Sequence, residues 1–369
     1  MLHSRFDPKR KYLSFDHWCG GWNNIRQTYE GAGVASMVTN RILILPPGGF
    51  CMLFSDFGNT SNVFDWWSLQ DKEAFISQFE CIDYKDVPYY QKFSGEKHFF
   101  EGIHSDNKVA IIELGHPTKD EMRAEEFNVE FLAYDKVTDK QDFEDFAQER
   151  FQVSLKYDQQ FIHFPRNFYA QPIYNFYLPT QELRLEAMER VEKGSRFRKE
   201  YYDLAESLLP NDFDALHVRR GDFLHVHTPI INEQYDKLAE MIEGRVRKDR
   251  PLYIATDEKD KSVFEILEDE DYDLVFLDDL NKDLTDLEAI AMDMIIPTYA
   301  ESFLGSKIST FTNYINIQRG YKGMPGTSDI GINYDYSNRK PYKKHPWETN
   351  QYLWEVILED YWYGHKKTN

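Results

Sequence analysis

The chain has 369 residues, which is long for a single domain and predicts two domains of roughly 150–200 residues each. Hydrophobic residues make up 41% and aromatic residues 16% of the chain, enough to build packed cores, so a disordered protein is excluded. Acidic residues outnumber basic residues 63 to 43, for a formal net charge of -20. Such a surface repels phosphate backbones, so a nucleic-acid partner is not expected.

The cysteines and apolar runs indicate a cytoplasmic or otherwise soluble protein. Cys19, Cys51 and Cys81 form no CxxC pair, and their odd number favours reduced thiols over a disulfide framework. The first residues lack the apolar segment of a signal peptide. No apolar run approaches the roughly 18 residues that a membrane-spanning helix needs, so no transmembrane segment is expected.

The first part of the chain is typical of an α/β fold. A strand leads through a glycine-bearing loop into a helix over 25–40, and the next strand ends at two prolines, which cannot donate ladder hydrogen bonds. This β–loop–α–β order begins many parallel sheets. The charged stretch 115–158 is interpreted as solvated helices and loops. The strands predicted in this part are 11–15, 41–47, 109–114 and 160–164.

From residue 178 onward, strands alternate with helices, which predicts a second parallel sheet. Two amphipathic helices come first, and an aromatic-rich helix is predicted for the tail at 345–362. The predicted strands are 214–220, 251–258 and 274–280. The predicted helices are 178–194, 195–210, 233–246, 261–270, 286–303 and one beginning at Ser309 or Thr310.

The segment "DALHVRRGDF" at 214–223 carries the most specific signal. Strand alternation places His217 and Arg219 on one face and turns Arg220 to the other. A guanidinium presents a planar fork of donors that matches phosphate oxygens. Gly221 permits a tight turn after the strand. A structural ion pair is the alternative for either arginine, and for Arg220 we expect one.

Five segments occur in the order found in a known family: GGWNNIR (20–26), NVFDWWSL (62–69), HVRRGDF (217–223), YIATDE (253–258) and DMIIPTYAESFLGSKISTFT (293–312). On these segments the chain resembles the protein O-fucosyltransferase superfamily, including its plant-type members. The likeness is densest from 210 to 320, and the stretch 70–160 contains no matching motif.

The resemblance implies a GT-B fold, in which two Rossmann-like domains with parallel sheets face each other across a cleft. The implied domains are an acceptor-side domain at 1–177, a nucleotide-sugar domain at 178–344, and a terminal helix at 345–369 that packs back on the cleft or on the first domain. The implied reaction is an inverting, metal-independent transfer of fucose from GDP-fucose to a hydroxyl of a protein or glycan acceptor. No cofactor is implied.

The resemblance also assigns site residues. Arg219 becomes the cation that stabilises the departing pyrophosphate, and Asn23 reaches the β-phosphate or the sugar. His217 orients the donor, and Asp257 accepts from guanine or ribose. Donor binding is assigned to Gly20, Gly21, Asn23, Arg26, His217, Arg219, Asp257, Ser309, Thr310 and Phe311. Two purely structural alternatives stay open, namely that His217 is a core histidine and that Ser309 is an ordinary helix cap.

The glycine loop departs from part of the family. Some relatives have a glutamate there as the acceptor base, where this chain has Gly20. Asp16, His17 and Glu30 are the nearby candidates, and none is favoured. A mechanism without a base, which relies on departure of the leaving group, is therefore kept open.

Several acidic and metal-like strings are set aside. The Asp-x-Asp strings at 212–214, 269–271 and 271–273 precede strands and are interpreted, with "LDDL" at 277–280, as solvated acidic surface. "HVH" at 225–227 lacks a third ligand, so no metal site is predicted. Asp293 lies on the apolar face of its helix. It is expected either to bind the arginine pair or to cap a buried polar network.

Rival functions remain. The first is the same fold with another nucleotide sugar, and the second is a non-catalytic nucleotide-sugar or glycan-binding protein. An NAD-dependent Rossmann enzyme is excluded because no strand–GxGxxG–helix unit occurs. Arg220 is expected to hold Asp222 or Asp293. Trp66, Trp67 and Trp347 are expected to pack in cores more than to stack on sugars.

Overall fold

The computed structural model describes residues 1–15, 21–50, 63–87, 109–112, 130–132, 160–164, 181–221, 237–306, 309–322 and 324. Within these residues the chain divides into two compact units, one ending at Arg196 and the other beginning at Phe197. The predicted boundary at 177 and the predicted tail helix at 345–362 lie outside the described residues. No helix in the described part is long and apolar enough to cross a membrane.

The first unit is built on a seven-stranded sheet in which every strand pair is parallel. Its order is β1-β6-β3-β2-β9-β7-β8. These strands are β1 (Leu2–His3), β2 (Tyr12–Phe15), β3 (Ile42–Leu45), β6 (Cys81–Asp83), β7 (Val109–Ile112), β8 (Glu130–Leu132) and β9 (Phe161–Phe164). A separate antiparallel pair joins β4 (Gly49–Phe50) to β5 (Val63–Phe64). The helices are α1 (Trp22–Val38), α2 (Lys72–Gln78) and α3 (Gln181–Gly194).

The central strands form as their sequences predict. All residues of β2 and β3 are buried, as expected for parallel strands that are covered on both faces. The stretch 115–158 was expected to contain only helices and loops, and this is wrong at β8, which pairs with β7. A three-residue strand forms because it makes backbone hydrogen bonds with a neighbouring strand. Its sequence is too short to show an alternation of apolar and polar residues.

The second unit contains a four-stranded parallel sheet in the order β12-β11-β10-β13. Its strands are β10 (Asp214–Val218), β11 (Pro251–Thr256), β12 (Asp273–Phe276) and β13 (Phe303–Gly305). Its helices are α4 (Lys199–Leu208), α5 (Leu238–Ile242), α6 (Glu265–Glu268), α7 (Leu277–Leu280), α8 (Asp286–Ile295) and α9 (Thr310–Tyr321). The helix predicted at 286–303 ends early because a 3-10 turn and β13 follow α8.

The two faces of this second sheet differ in chemistry. On one face, Leu216, Val218 and Ile254 join an apolar cluster with residues of α5 and α6. On the other face, His217 contacts α9 and Tyr253 contacts α8 through hydrogen bonds. The polar groups therefore collect on one face, as the alternation of β10 predicts.

Candidate active site

The site develops where the winding of the second sheet reverses. From β10 the chain proceeds to β11 and β12 on one side, whereas β13 lies on the other side of β10. In open α/β sheets, ligands bind outside the carboxyl ends of the strands at such a switch point. Arg219 follows β10 and Ser306 follows β13, so both lie at this edge.

Arg219 is a partly exposed cation at this edge. Its backbone N–H donates to Ser306 Oγ at 2.9 Å, which fixes the loop after β10 to the end of β13. Its Nη1 lies 2.9 Å from Asp257 Oδ2, and 21% of the side chain is exposed. A guanidinium held along one edge can still present donors along another edge to a ligand.

Asp257 holds both arginines of the segment. Its Oδ2 faces Arg219, and its Oδ1 accepts from the backbone N–H of Arg220 at 2.8 Å. A Cβ on Gly221 would lie 2.6 Å from Oδ2, so only glycine permits this close approach. The contacts give Asp257 an orienting role, and its predicted contact with guanine or ribose stays a prediction.

Arg220 forms a structural ion pair, but with a partner that sequence reasoning missed. Its Nε lies 2.6 Å from Glu258 Oε2, whereas Asp293 bonds to Tyr253 and Asp222 lies outside the described residues. Continuing the register of Val218 beside Thr256 by two residues brings Arg220 opposite Glu258. The Arg220–Glu258 pair could therefore have been predicted from the register of the two strands.

His217 is buried and neutral. Its Nδ1 lies 2.6 Å from Thr312 Oγ1, and its ring stacks on Phe311 with centroids 4.6 Å apart. Burial, followed by the nearby charge of Arg219, lowers the pKa of His217 to about 3. The core-histidine alternative therefore describes its contacts, and these contacts also attach β10 to the start of α9.

Ser309 caps α9, since its Oγ accepts from the backbone N–H of Phe311 at 3.2 Å. A Cβ on Gly305 would lie 2.4 Å from Thr312 Cγ2, so β13 and α9 approach closely. The start of α9, with Thr310 and Phe311, is thereby placed at the switch point. Whether its N–H groups bind phosphate stays a prediction.

Asp293 belongs to a polar pair below this edge. The hydroxyl of Tyr253 donates to Asp293 Oδ1 at 2.5 Å. Burial raises the pKa of Asp293 to about 7, although the hydrogen bond from Tyr253 opposes this shift. Of the two expectations for Asp293, the structure gives the polar network.

Gly21 lies between β2 and α1 in the first unit. There β3 lies on one side of β2 and β9 on the other, so β2 also ends at a switch point. Gly21 is the N-cap of α1. Gly20, Asp16 and His17 lie outside the described residues.

Asn23 and Arg26 are buried within this first unit. Arg26 Nε donates to Asn23 Oδ1 at 3.1 Å, and Arg26 Nη1 lies 2.5 Å from Glu30 Oε1. Only 1% of the Arg26 side chain is exposed. Glu30 is thus a buried ion-pair partner in this structure, which does not favour it as an acceptor base. Donor binding by Asn23 and Arg26 stays a prediction.

The aromatic segment after β5 packs in the core. Trp66 stacks on Trp22 at 4.2 Å and on Tyr29 at 4.8 Å between centroids. Trp67 packs edge-on against Tyr29. Trp347 lies outside the described residues.

One acidic string was misinterpreted. Asp214 was expected to be solvated surface, but it is fully buried at the start of β10. Its carboxylate accepts from the backbone N–H groups of Arg247 at 2.8 Å and Ser302 at 3.0 Å. It joins the amino end of β10 to two neighbouring segments. In the described part of the chain, no three His, Cys, Asp or Glu side chains are grouped to hold a metal.

Solved structures share this fold. POFUT1 in complex with GDP-fucose aligns at a TM-score of 0.52 and 13% identity, over 88% of this chain and 99% of that one. The apo form of POFUT1 aligns at 0.50 and 13%, over 89% and 100%. The fucosyltransferase NodZ from Bradyrhizobium aligns at a TM-score of 0.48 and 13% identity, over 84% of this chain and 92% of that one. The fold is the α/β class with parallel sheets that POFUT1 has.

The sequence itself identifies the family. The model of the GDP-fucose protein O-fucosyltransferases matches residues 12–322, which is most of the chain. The chain belongs to this family, and it is a glycosyltransferase of the fucosyltransferase type. No curated protein matches the sequence.

Proposed function

We propose that this protein transfers fucose from GDP-fucose to a hydroxyl group of a protein or glycan acceptor, with inversion at the sugar and without a metal ion. The observation that carries the proposal is the placement of Arg219. It is a partly exposed cation, held by Asp257, at the switch point of the second sheet. POFUT1, which shares the fold, was solved with GDP-fucose and with GDP.

The proposed role of Arg219 follows from the charge that develops during transfer. As the bond between fucose and GDP breaks, negative charge grows on the β-phosphate. A cation fixed before the reaction stabilises that charge without reorganising. His217 attaches the start of α9 to β10. The first backbone N–H groups of α9 add favourable dipoles at the same edge.

The location of the acidic strings supports a metal-independent route. A metal that bridges the pyrophosphate needs carboxylates at the carboxyl edge of the sheet. Asp214 instead lies at the amino end of β10, and its oxygens bind backbone N–H groups. The strings before β12 also lie at an amino end. At the carboxyl edge, Asp257 and Glu258 are engaged by Arg219 and Arg220. Arg219 therefore takes the part that a metal has in other transferases.

Inversion follows from a single displacement, in which the acceptor hydroxyl attacks the face of the sugar opposite GDP. Glu30 is engaged by Arg26 inside the first unit, so we assign it no proton transfer. Early departure of GDP gives the sugar oxocarbenium character, so the acceptor oxygen bonds to the sugar before it loses its proton. That proton then passes to water or to a β-phosphate oxygen of the departing GDP.

Nucleotide specificity tests the proposal. With EDTA present, millimolar GDP is expected to raise the melting temperature, whereas UDP and NAD leave it unchanged. A ligand that binds the folded protein stabilises it, and a nucleotide that does not bind has no such effect. A rise with UDP alone, or none with GDP, contradicts the donor assignment. Hydrolysis assays with a panel of nucleotide sugars then distinguish fucose from another sugar, and an acceptor panel distinguishes a transferase from a binding protein.

A further inference from the structure

The loops that leave β10 and β11 are joined by two consecutive ion pairs. Val218 lies beside Thr256 in the parallel register of these strands. The next residues pair in the same order, Arg219 with Asp257 at 2.9 Å and Arg220 with Glu258 at 2.6 Å. Two neighbouring basic residues on one strand end therefore face two neighbouring acidic residues on the next.

The second pair is held firmly. Only 16% of the Arg220 side chain and 14% of the Glu258 side chain are exposed. The other carboxylate oxygen of Glu258 accepts from the backbone N–H of Asp260 at 2.9 Å, and its carbonyl accepts from Lys261 Nζ at 2.7 Å. Glu258 is thus fixed within its own loop and binds the loop of β10 through Arg220.

Thr256 adds a third connection between the loops. Its hydroxyl donates to the carbonyl of Val218 at 2.8 Å and accepts from the backbone N–H of Glu258 at 3.1 Å. The loop of β10 is consequently attached to the loop of β11 before, at and after Arg219. Its direction depends on the β11 loop as much as on its own sequence.

We propose that Glu258 is a positioning residue for sugar transfer, which holds the β10 loop through Arg220 and so fixes the direction of the Arg219 guanidinium. This proposal rests on the function proposed above. Arg219 and Arg220 are adjacent, and the N–H of Arg220 already binds Asp257. Releasing the Arg220 side chain lets residues 219–221 turn, and the direction of the Arg219 guanidinium changes with them.

A merely structural pair and a positioning pair differ in what their loss changes. Loss of a structural pair lowers stability and leaves the turnover of the folded enzyme unchanged. Loss of a positioning pair lowers kcat, because the cation misses the place where charge develops. Donor affinity changes less, since Asp257 and the start of α9 are still present.

The test is a double-mutant cycle on the full chain. Glu258→Gln and Arg220→Gln are each expected to lower kcat about tenfold, with a smaller change in KM for GDP-fucose. Their combination is expected to lose no more than either change alone, because both break one link. Arg220→Lys keeps the charge and is expected to recover most of kcat. Glu270→Gln, which breaks the exposed pair with Lys248, is the matched control and leaves kcat unchanged.

Three results would overturn the proposal. The first is a Glu258→Gln enzyme with wild-type kcat and a lowered melting temperature, which shows a structural pair only. The second is losses that multiply in the double variant, which shows two independent effects. The third is a wild-type protein that neither binds GDP nor transfers fucose, which overturns the proposed function as well. If Glu258→Gln does not fold, Arg220→Gln and Arg220→Lys compare the same link from the other side.

Discussion

Two arginine–carboxylate pairs in this molecule have the same chemistry and differ in their surroundings. Arg219 pairs with Asp257 after β10, and Arg26 pairs with Glu30 inside α1. Each pair follows the strand at which the winding of its own sheet reverses. However, 21% of the Arg219 side chain is exposed, against 1% for Arg26.

The difference separates two uses of the same chemistry. The charge of Arg26 is compensated within the packed unit by Glu30, which binds Nη1, while Asn23 accepts from Nε. Arg219 is oriented by Asp257 and still reaches the surface at the carboxyl edge of the sheet. We therefore expect the first pair to affect stability and the second to affect catalysis.

The largest expected effect on stability is that of Arg26→Ala. This change leaves the Glu30 carboxylate buried without its cation, and it is expected to lower the free energy of unfolding by about 3–5 kcal/mol. Arg219→Ala should lower it less, because Asp257 keeps the hydrogen bond from Arg220 N–H. Urea unfolding followed by far-UV circular dichroism measures both, because each unit contains helices.

The control for this prediction replaces both partners. Arg26→Met combined with Glu30→Leu removes the two charges together and is expected to recover most of the loss. Equal destabilisation by Arg26→Ala and Arg219→Ala would remove the distinction between the two pairs.

A smaller effect is expected from two close-packed glycines, one near each pair. A Cβ on Gly305 would lie 2.4 Å from Thr312 Cγ2, and one on Gly33 would lie 3.0 Å from the ring of Phe79. Gly305→Ala is expected to cost about 1–3 kcal/mol through overpacking. Gly33→Ala gains about 1 kcal/mol of helix propensity, which offsets part of its clash. Thermal unfolding of the two variants compares them, and a larger loss for Gly33→Ala would contradict the packing described beside His217.

An effect of comparable size is expected in the pH dependence of stability on the Arg219 side. The folded pKa of Asp293, about 7, lies above the 3.8 of a free aspartate. Between these values the folded protein holds a proton that the unfolded chain has lost, so the contribution of Asp293 to stability falls as pH rises through this window. Asp293→Asn keeps an acceptor for the Tyr253 hydroxyl and removes the titration.

Unfolding at pH 5 and pH 7.5 measures this dependence. The free energy of unfolding of the wild type, minus that of Asp293→Asn, is expected to be smaller at pH 7.5. Subtracting the variant removes the contributions of the other titrating groups. One of these is His217, whose lowered pKa makes stability rise with pH. A difference that does not vary with pH would show that Asp293 is ionised throughout.

Much of the fold could be predicted from local pattern. Continuous apolar runs predict β2, β3, β10 and β11, because strands covered on both faces need them. Strands such as β1, β6 and β8 have only two or three residues and form by pairing with neighbours, so no period shows them. The buried state of Asp214 was equally hidden, since its partners are backbone groups at Arg247 and Ser302.

The site was predictable in part for similar reasons. Alternation along β10 predicts different surroundings for Arg219 and Arg220, and the structure pairs their side chains with different carboxylates, Asp257 and Glu258. The partner of Arg220 required the register between β10 and β11, which is a tertiary property. The exposure of Arg219 and the burial of Arg26 required packing, and no motif distinguishes them.

Fucose transfer by Arg219→Ala tests the central claim most directly. The rate of fucose release or transfer from GDP-fucose should be measured with EDTA for the wild type and for this variant, with circular dichroism to confirm folding. We expect a loss of roughly 100-fold or more, as for removal of one donor that stabilises developing charge. A folded Arg219→Ala enzyme whose activity stays within about tenfold of the wild type would show that Arg219 is not the cation of the leaving group.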